Sequence, residues 1–217
     1  MCHAIGDMAR VKIEEMRRYS HNMEQFLQNE RAGIEGRIKQ ALENSSASAR
    51  DEISEFYSYR AWQLGETFPE LLRESIFVAL YFLLESELNS VCRLFQIHGP
   101  LKLELEDIAG NGIFRAKAYL EKVAHVDFPD THPSWSDILN FNRVRNVIVH
   151  AQGNLRDANK KLLNYVSQNK NIDTDQHDNI RLTRAFVEGA LKSVEVFFLE
   201  LSRILKQEHS RTTWNAV

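Results

Sequence analysis

Arg145, Asn146 and His150 lie within one short string, RNVIVHAQG, at residues 145–153. Arginine is a permanent cation that braces negative charge, and histidine titrates near neutrality, so it can take up or give a proton. On a helix turning about 100° per residue, Ile138, Phe141, Val144, Ile148 and Val149 make one broad apolar face, and Arg145 falls inside it. Asn142, Asn146 and His150 follow at i, i+4 and i+8 and form a polar stripe beside that face. An ordinary surface helix keeps its arginines on the wet side. Five residues put His150 about 140° round the helix from Arg145, so one helix does not easily aim both at one small target. Two copies of it, meeting across a two-fold axis, enclose a cleft that holds both kinds of group.

A second helix carries charge of the opposite sign. Ile76, Leu80, Leu83, Leu84, Leu88, Val91 and Leu94 form its apolar arc, with Glu87 inside the arc and Glu85 at its edge. An ionised carboxylate on an apolar face is costly unless paired. The economical expectation is that this helix packs on the Arg145 helix and that Glu87 holds Arg145.

The elements that position these groups are nearly all helical, because apolar residues recur at helical spacing and strand signals are almost absent. Helices are expected at about 5–44, 48–66, 69–98, 112–124, 134–152, 155–168 and 178–207. Ser48 with Asp51, Thr67 with Glu70, and Ser134 with Asp137 have capping-box spacing. Gly99-Pro100 and Gly110-Asn111-Gly112 read as breaks, and Gly153 as a residue ending the Arg145 helix.

Residues 1–66 are charge-rich, with a thin apolar seam through Met16, Met23, Leu27, Ile34 and Leu42. They read as a helical extension, an amphipathic hairpin packed on its own domain. Gly33 and Gly36 should weaken it locally, and Phe56, Tyr57, Tyr59, Trp62 and Phe68 should dock it on the core. Residues 67–207 form the main helical domain, and 208–217 read as a disordered tail.

Composition narrows the classes. A chain of 217 residues with 43% hydrophobic residues can bury a core. The longest apolar run, Ile76 to Leu84, is too short to span a bilayer, and Asp7, Glu14 and Glu15 interrupt any secretory signal. Two cysteines, Cys2 and Cys92, without metal or redox spacing argue for free thiols in the cytoplasm. A net charge of −3 excludes coating of nucleic acid by bulk charge, so an RNA contact needs a local basic patch. Arg143, Arg156, Lys160 and Lys161, around and after the motif, are the candidates.

An arginine followed by a polar residue, with a histidine four to six positions after the arginine, in an all-helical domain, resembles the HEPN superfamily. Here the motif is Arg145, Asn146 and His150. The resemblance extends over about residues 69–207, including YFLLESELNSV (81–91) and IRLTRAFVEGALKSVEVFFLELSRIL (180–205). It implies an all-α HEPN-like bundle, with the 1–66 hairpin as an extension. It also implies a homodimer whose motif helices share one cleft. Many members are metal-independent endoribonucleases, often toxins of toxin–antitoxin pairs or factors in phage defence. Others only bind partners or nucleotides.

The residue types suit that chemistry. Attack by a 2′-hydroxyl on the neighbouring phosphate needs a base, an acid for the leaving 5′-oxygen, and positive charge on the phosphorane. His150 is the candidate for proton transfer and Arg145 for the phosphate. Asn146 would orient the histidine or bind phosphate, with Asn142 and Glu87 in support. The implied products are a 2′,3′-cyclic phosphate and a 5′-hydroxyl, made without a cofactor or metal. RNA and an antitoxin or regulatory protein are the implied partners. The competing reading is a non-catalytic dimeric module that binds a protein or nucleotide.

Two acidic clusters invite a metal: Asp173, Asp175, His177 and Asp178, and His125, Asp127, Asp130 and His132. The first is not an EF-hand, since Asp178 replaces the turn glycine and Arg184 the bidentate glutamate. Neither has the histidine spacing of a zinc hydrolase, and both read as solvated loops, with Asp175 or Asp178 starting the last helix.

Overall fold

The computed structural model describes residues 2–43, 45–46, 49–99 and 101–214, with side chains between 7 and 207. In order these form α1 (Cys2–Glu43), α2 (Arg50–Trp62), a π turn (Gln63–Thr67), α3 (Phe68–His98), a 3₁₀ turn (Leu105–Asp107), α4 (Gly112–Lys122), α5 (Pro133–Ala151), α6 (Lys160–Gln168), β1 (Ile172–Thr174), β2 (Ile180–Leu182) and α7 (Arg184–Trp214). The chain is an all-α helical bundle, as the apolar spacing predicts, with one small antiparallel ribbon.

α3 is the central helix. Its Phe77, Leu80, Leu84, Leu88 and Val91 are buried among α1, α4, α5 and α7. Phe141 meets Phe77 and Phe186 edge to face where α3, α5 and α7 converge, Phe77 and Phe186 pack tilted, and Phe128, Trp135 and Phe197 make a second aromatic knot. Such contacts add to area burial and fix how the helices cross.

The chain does not break between α2 and α3, although a helix start was expected at Thr67. Thr67 keeps helical angles, φ −63 and ψ −50, makes no cap hydrogen bond, and its buried hydroxyl finds no partner. Pro69 has no N–H for the carbonyl of Gly65, and the π turn that contains Gly65 absorbs the mismatch. Residues 50–98 are therefore one helix, long and apolar enough by composition to cross a membrane, with half of its most apolar window buried in the bundle.

The expected boundary at residue 66 falls inside that helix. α1 is unbroken despite Gly33 and Gly36, and its first half belongs to the main core through the fully buried Ala9 and Ile13. Arg17 ties it to Glu188 and Glu195 on α7, at 2.8 and 3.1 Å. Glu24, nearly fully buried, takes a two-pronged contact from Arg73 at 2.7 and 3.0 Å. The second half of α1 packs on α2 around a separate small cluster, Leu27, Ile34 and Leu64. Tyr57 and Phe68 dock there, whereas Phe56, Tyr59 and Trp62 face outward.

Several helix ends differ from expectation. The Ser48 cap lies outside the described residues. α5 is capped by His132, whose Nδ1 accepts from the Ser134 N–H at 3.2 Å, while Asp137 accepts from the Ser193 hydroxyl at 2.8 Å. At its other end Gln152 and Gly153 are both left-handed (φ 51 and 81), and both donate to the Val147 carbonyl. The stretch expected to open the last helix at 178 is instead the ribbon β1–β2. Its turn is held by Asp175, which accepts from the N–H groups of His177 and Asn179 at 2.8 and 2.9 Å. α7 begins after Thr183, whose hydroxyl caps the Phe186 N–H, and it continues past residue 207 to Trp214. Residues 215–217 lie outside the described ones.

Candidate functional site

α3 and α5 run side by side, and between them and the start of α4 lies a cleft of about 540 Å³. α5 contributes Asn142, Arg143, Arg145, Asn146 and His150 to its lining. α3 contributes Tyr81 and Glu85, and the α5–α6 connection contributes Asp157 and Asn159. Arg145 and His150 thus share one cleft within a single protomer, although they are separated round the helix. The long arginine side chain covers the difference by lying across Tyr81, with its guanidinium carbon 5.7 Å from the ring centroid.

Tyr81 is the polar anchor of the α3 wall. Its hydroxyl donates to Asn142 Oδ1 at 2.9 Å. Burial pushes the phenol well above its ordinary range, the nearby Glu85 carboxylate pushes the same way, and Arg145 opposes them, so Tyr81 stays a neutral donor. Arg145 also donates to the side chain of its neighbour Asn146 at 3.1 Å. Arg143 donates to Asn140 at 2.6 Å.

Glu87 does not hold Arg145. It is nearly buried and pairs with Lys12 of α1 at 2.7 Å. Glu87 lies six residues beyond Tyr81, about 240° round α3, so the face that meets Arg145 cannot also present Glu87 to it. The arginine on the apolar face finds an aromatic ring instead of a carboxylate, which lowers its cost without an ion pair.

Glu85, two residues before Glu87, does face the cleft. A Cβ on Gly112 would come 3.4 Å from its Oε2, and that glycine has φ +54, so the first turn of α4 closes on the carboxylate without a clash. Among the described residues the side chains of Glu85, Asp157 and His150 make no ion pair or hydrogen bond. Glu85 stands at the edge of the apolar arc in the sequence, but its facing partner depends on how α3 and α5 cross. Tyr81 also escaped the sequence reading; its signal is a lone hydroxyl in the aliphatic run of α3 that needs a partner.

Comparison with family models, curated proteins and solved structures finds no match. The site is therefore read from its own geometry.

Of the other basic candidates, Arg156, Lys160 and Lys161 are exposed and lie outside the cleft lining, with the two lysines in the first turn of α6. The acidic loops are used locally: Asp130 pairs with Lys117 at 2.8 Å, and Asp175 serves the ribbon turn. Among the described residues no group of three or more His, Cys, Asp or Glu comes together as a metal site would require.

Proposed function

We propose that the chain is a metal-independent endoribonuclease of HEPN type. The observation that carries this reading is the single cleft lined together by Arg145, Asn146 and His150. Arg145 binds the scissile phosphate and offsets charge on the phosphorane, His150 moves a proton, and Asn146 steers the guanidinium that it already touches. Tyr81 and Asn142 fix the wall against which Arg145 lies. Arg143 contributes positive charge inside the cleft, and Lys160 and Lys161 extend it outward along the path of an RNA strand. The products are a 2′,3′-cyclic phosphate and a 5′-hydroxyl. Action as a homodimer and as a toxin or phage-defence effector follows from the resemblance to that family, and a cytoplasmic location from the two cysteines without redox or metal spacing.

The test is cleavage of a mixed RNA pool in EDTA by wild type and His150→Ala, with product ends mapped. Cleavage by wild type alone, leaving cyclic phosphates, is the expected result. Equal cleavage by both proteins removes His150 from the chemistry.

One observation favours a second reading, a non-catalytic interaction module. Phe56, Tyr59 and Trp62 are 78%, 65% and 55% exposed on α2, an aromatic stripe that the chain itself does not cover. Under that reading folded wild type cleaves no RNA, and substitutions at His150 leave partner binding through α2 unchanged.

A further inference from the structure

We propose that Glu85 is the second proton-transfer group of the cleft, acting as general base while His150 acts as general acid, so that one protomer carries both steps. The inference rests on the ribonuclease reading.

The ladder of contacts between α3 and α5 brings the two groups to one level. Phe77 meets Phe141, with ring centroids 5.8 Å apart, and Tyr81 meets Arg145 at 5.7 Å. A step of four residues on α3 is thus matched by a step of four on α5. The helices run in the same direction here, and the next step sets Glu85 against the turn of Val149 and His150. Both groups line the same cleft, and neither is engaged elsewhere among the described residues. Arg145 lies one step back along the ladder, where a phosphate between acid and base would need its cation.

The charged and titratable surroundings are few. Tyr81, one turn back on α3, lies near enough to feel the charge of Glu85, and Arg145, Arg143 and Asp157 share the cleft lining with them. The start of α4, Asn111 to Phe114, brings no ionisable side chain. Its first turn does bring the positive end of the helix dipole to the carboxylate, which favours holding it at that spot.

The proton count closes. The Glu85 carboxylate takes the 2′-hydroxyl proton as that oxygen attacks phosphorus. The bond from phosphorus to the 5′-oxygen breaks, and the His150 imidazolium gives its proton to that oxygen. The cyclic phosphate and the 5′-hydroxyl leave, and water returns a proton to His150 and removes one from Glu85.

The test compares wild type, Glu85→Gln, Glu85→Asp and His150→Ala on one RNA substrate across pH. Glu85→Gln should lower kcat by about 100-fold or more with KM and melting temperature close to wild type. Glu85→Asp, which keeps a carboxylate at that position, should retain part of the activity. Mixing Glu85→Gln with His150→Ala should restore nothing, because each protomer lacks one group of its own pair. Activity of Glu85→Gln within about threefold of wild type overturns the assignment. Recovery on mixing overturns the single-protomer arrangement, since it requires the pair to form across two chains. A wild type that cuts no RNA removes the ribonuclease reading and this inference with it, whereas an active wild type with an unaffected Glu85→Gln removes this inference alone.

Discussion

The guanidinium of Arg145 lies over the ring of Tyr81, and the hydroxyl of the same tyrosine donates to Asn142, one turn before the arginine on α5. One aromatic side chain therefore supports both the cation and the polar stripe beside it. This arrangement accounts for an arginine on the apolar side of its helix. Its guanidinium lies over the tyrosine ring, and the arginine lines the cleft.

Two substitutions at Tyr81 separate these roles. Tyr81→Phe keeps the ring and loses the bond to Asn142, which should cost about 1 kcal/mol in urea unfolding. Tyr81→Leu removes the platform as well, at a further cost of about 0.5–1 kcal/mol. Under the ribonuclease reading kcat should fall more in Tyr81→Leu than in Tyr81→Phe, because only the former frees Arg145 from its place. Equal loss in the two proteins would show that the ring does not position the arginine.

The Lys12–Glu87 pair makes a prediction of the opposite kind. Glu87 is nearly buried, but Lys12 is about half exposed (47%), so solvent screens the pair and its net contribution is on the order of 1 kcal/mol. Lys12→Met should destabilise by about that much, since it leaves a buried carboxylate without its cation. The double variant Lys12→Met, Glu87→Leu should recover most of the loss, because the pair lies between apolar helix faces. RNA cleavage should not change in either protein. A fall in kcat with unchanged stability would reconnect Glu87 to the cleft.

Much of the bundle was legible because long helices repeat their apolar residues every 3.6 positions; α1, α4 and α5 begin and end, and α3 ends, close to where that period does. The ribbon was not legible. Each of its strands has three residues, too few to show alternation, and Asp175 has the same sequence signature as a helix cap. The π turn before Pro69 was hidden because Thr67 and Glu70 have the capping-box spacing of a helix start. The cluster Arg145, Asn146 and His150 was readable as a string. Its partners were not, because which face of α3 meets α5 is decided by the packing of the whole bundle. Sequence offered two glutamates two residues apart; the fold turns Glu87 to α1 and Glu85 to the cleft.

Cys92 supplies a reporter of global opening. It is fully buried, its thiol donates to the Ala116 carbonyl at 3.6 Å, and burial pushes its pKa up to about 12. At pH 8 the native protein should hold almost no thiolate there. In a Cys2→Ser background, alkylation of Cys92 should proceed only as fast as the protein unfolds, and should accelerate in denaturant along the unfolding curve. Fast labelling under native conditions would mean that α3 and α4 separate locally.

The ribbon should be the acid-sensitive element of the fold. Backbone and side-chain hydrogen bonds from Asn179, with the His177 N–H and the charge of Arg181, hold the Asp175 carboxyl below its ordinary value. A carboxyl lowered in the folded state adds stability above its unfolded value, about 4, and that contribution is lost as pH falls through the lower folded value. Amide protection at His177 and Asn179, whose N–H groups donate to that carboxyl, should therefore fall on acidification in that window, before protection in α3. Asp175→Asn should weaken the ribbon at neutral pH and flatten the acid response. The consequence reaches the site, because the Ile180 N–H donates to the Gly153 carbonyl at 2.9 Å and the Leu155 N–H to the Asp178 carbonyl at 3.0 Å. These bonds tie the ribbon to the chain just after α5, three to five residues beyond His150. Loosening at Asp175 should raise exchange at the Leu155 and Ile180 amides in parallel with the ribbon turn, and protection there that outlasts the turn would show that the end of α5 is held independently.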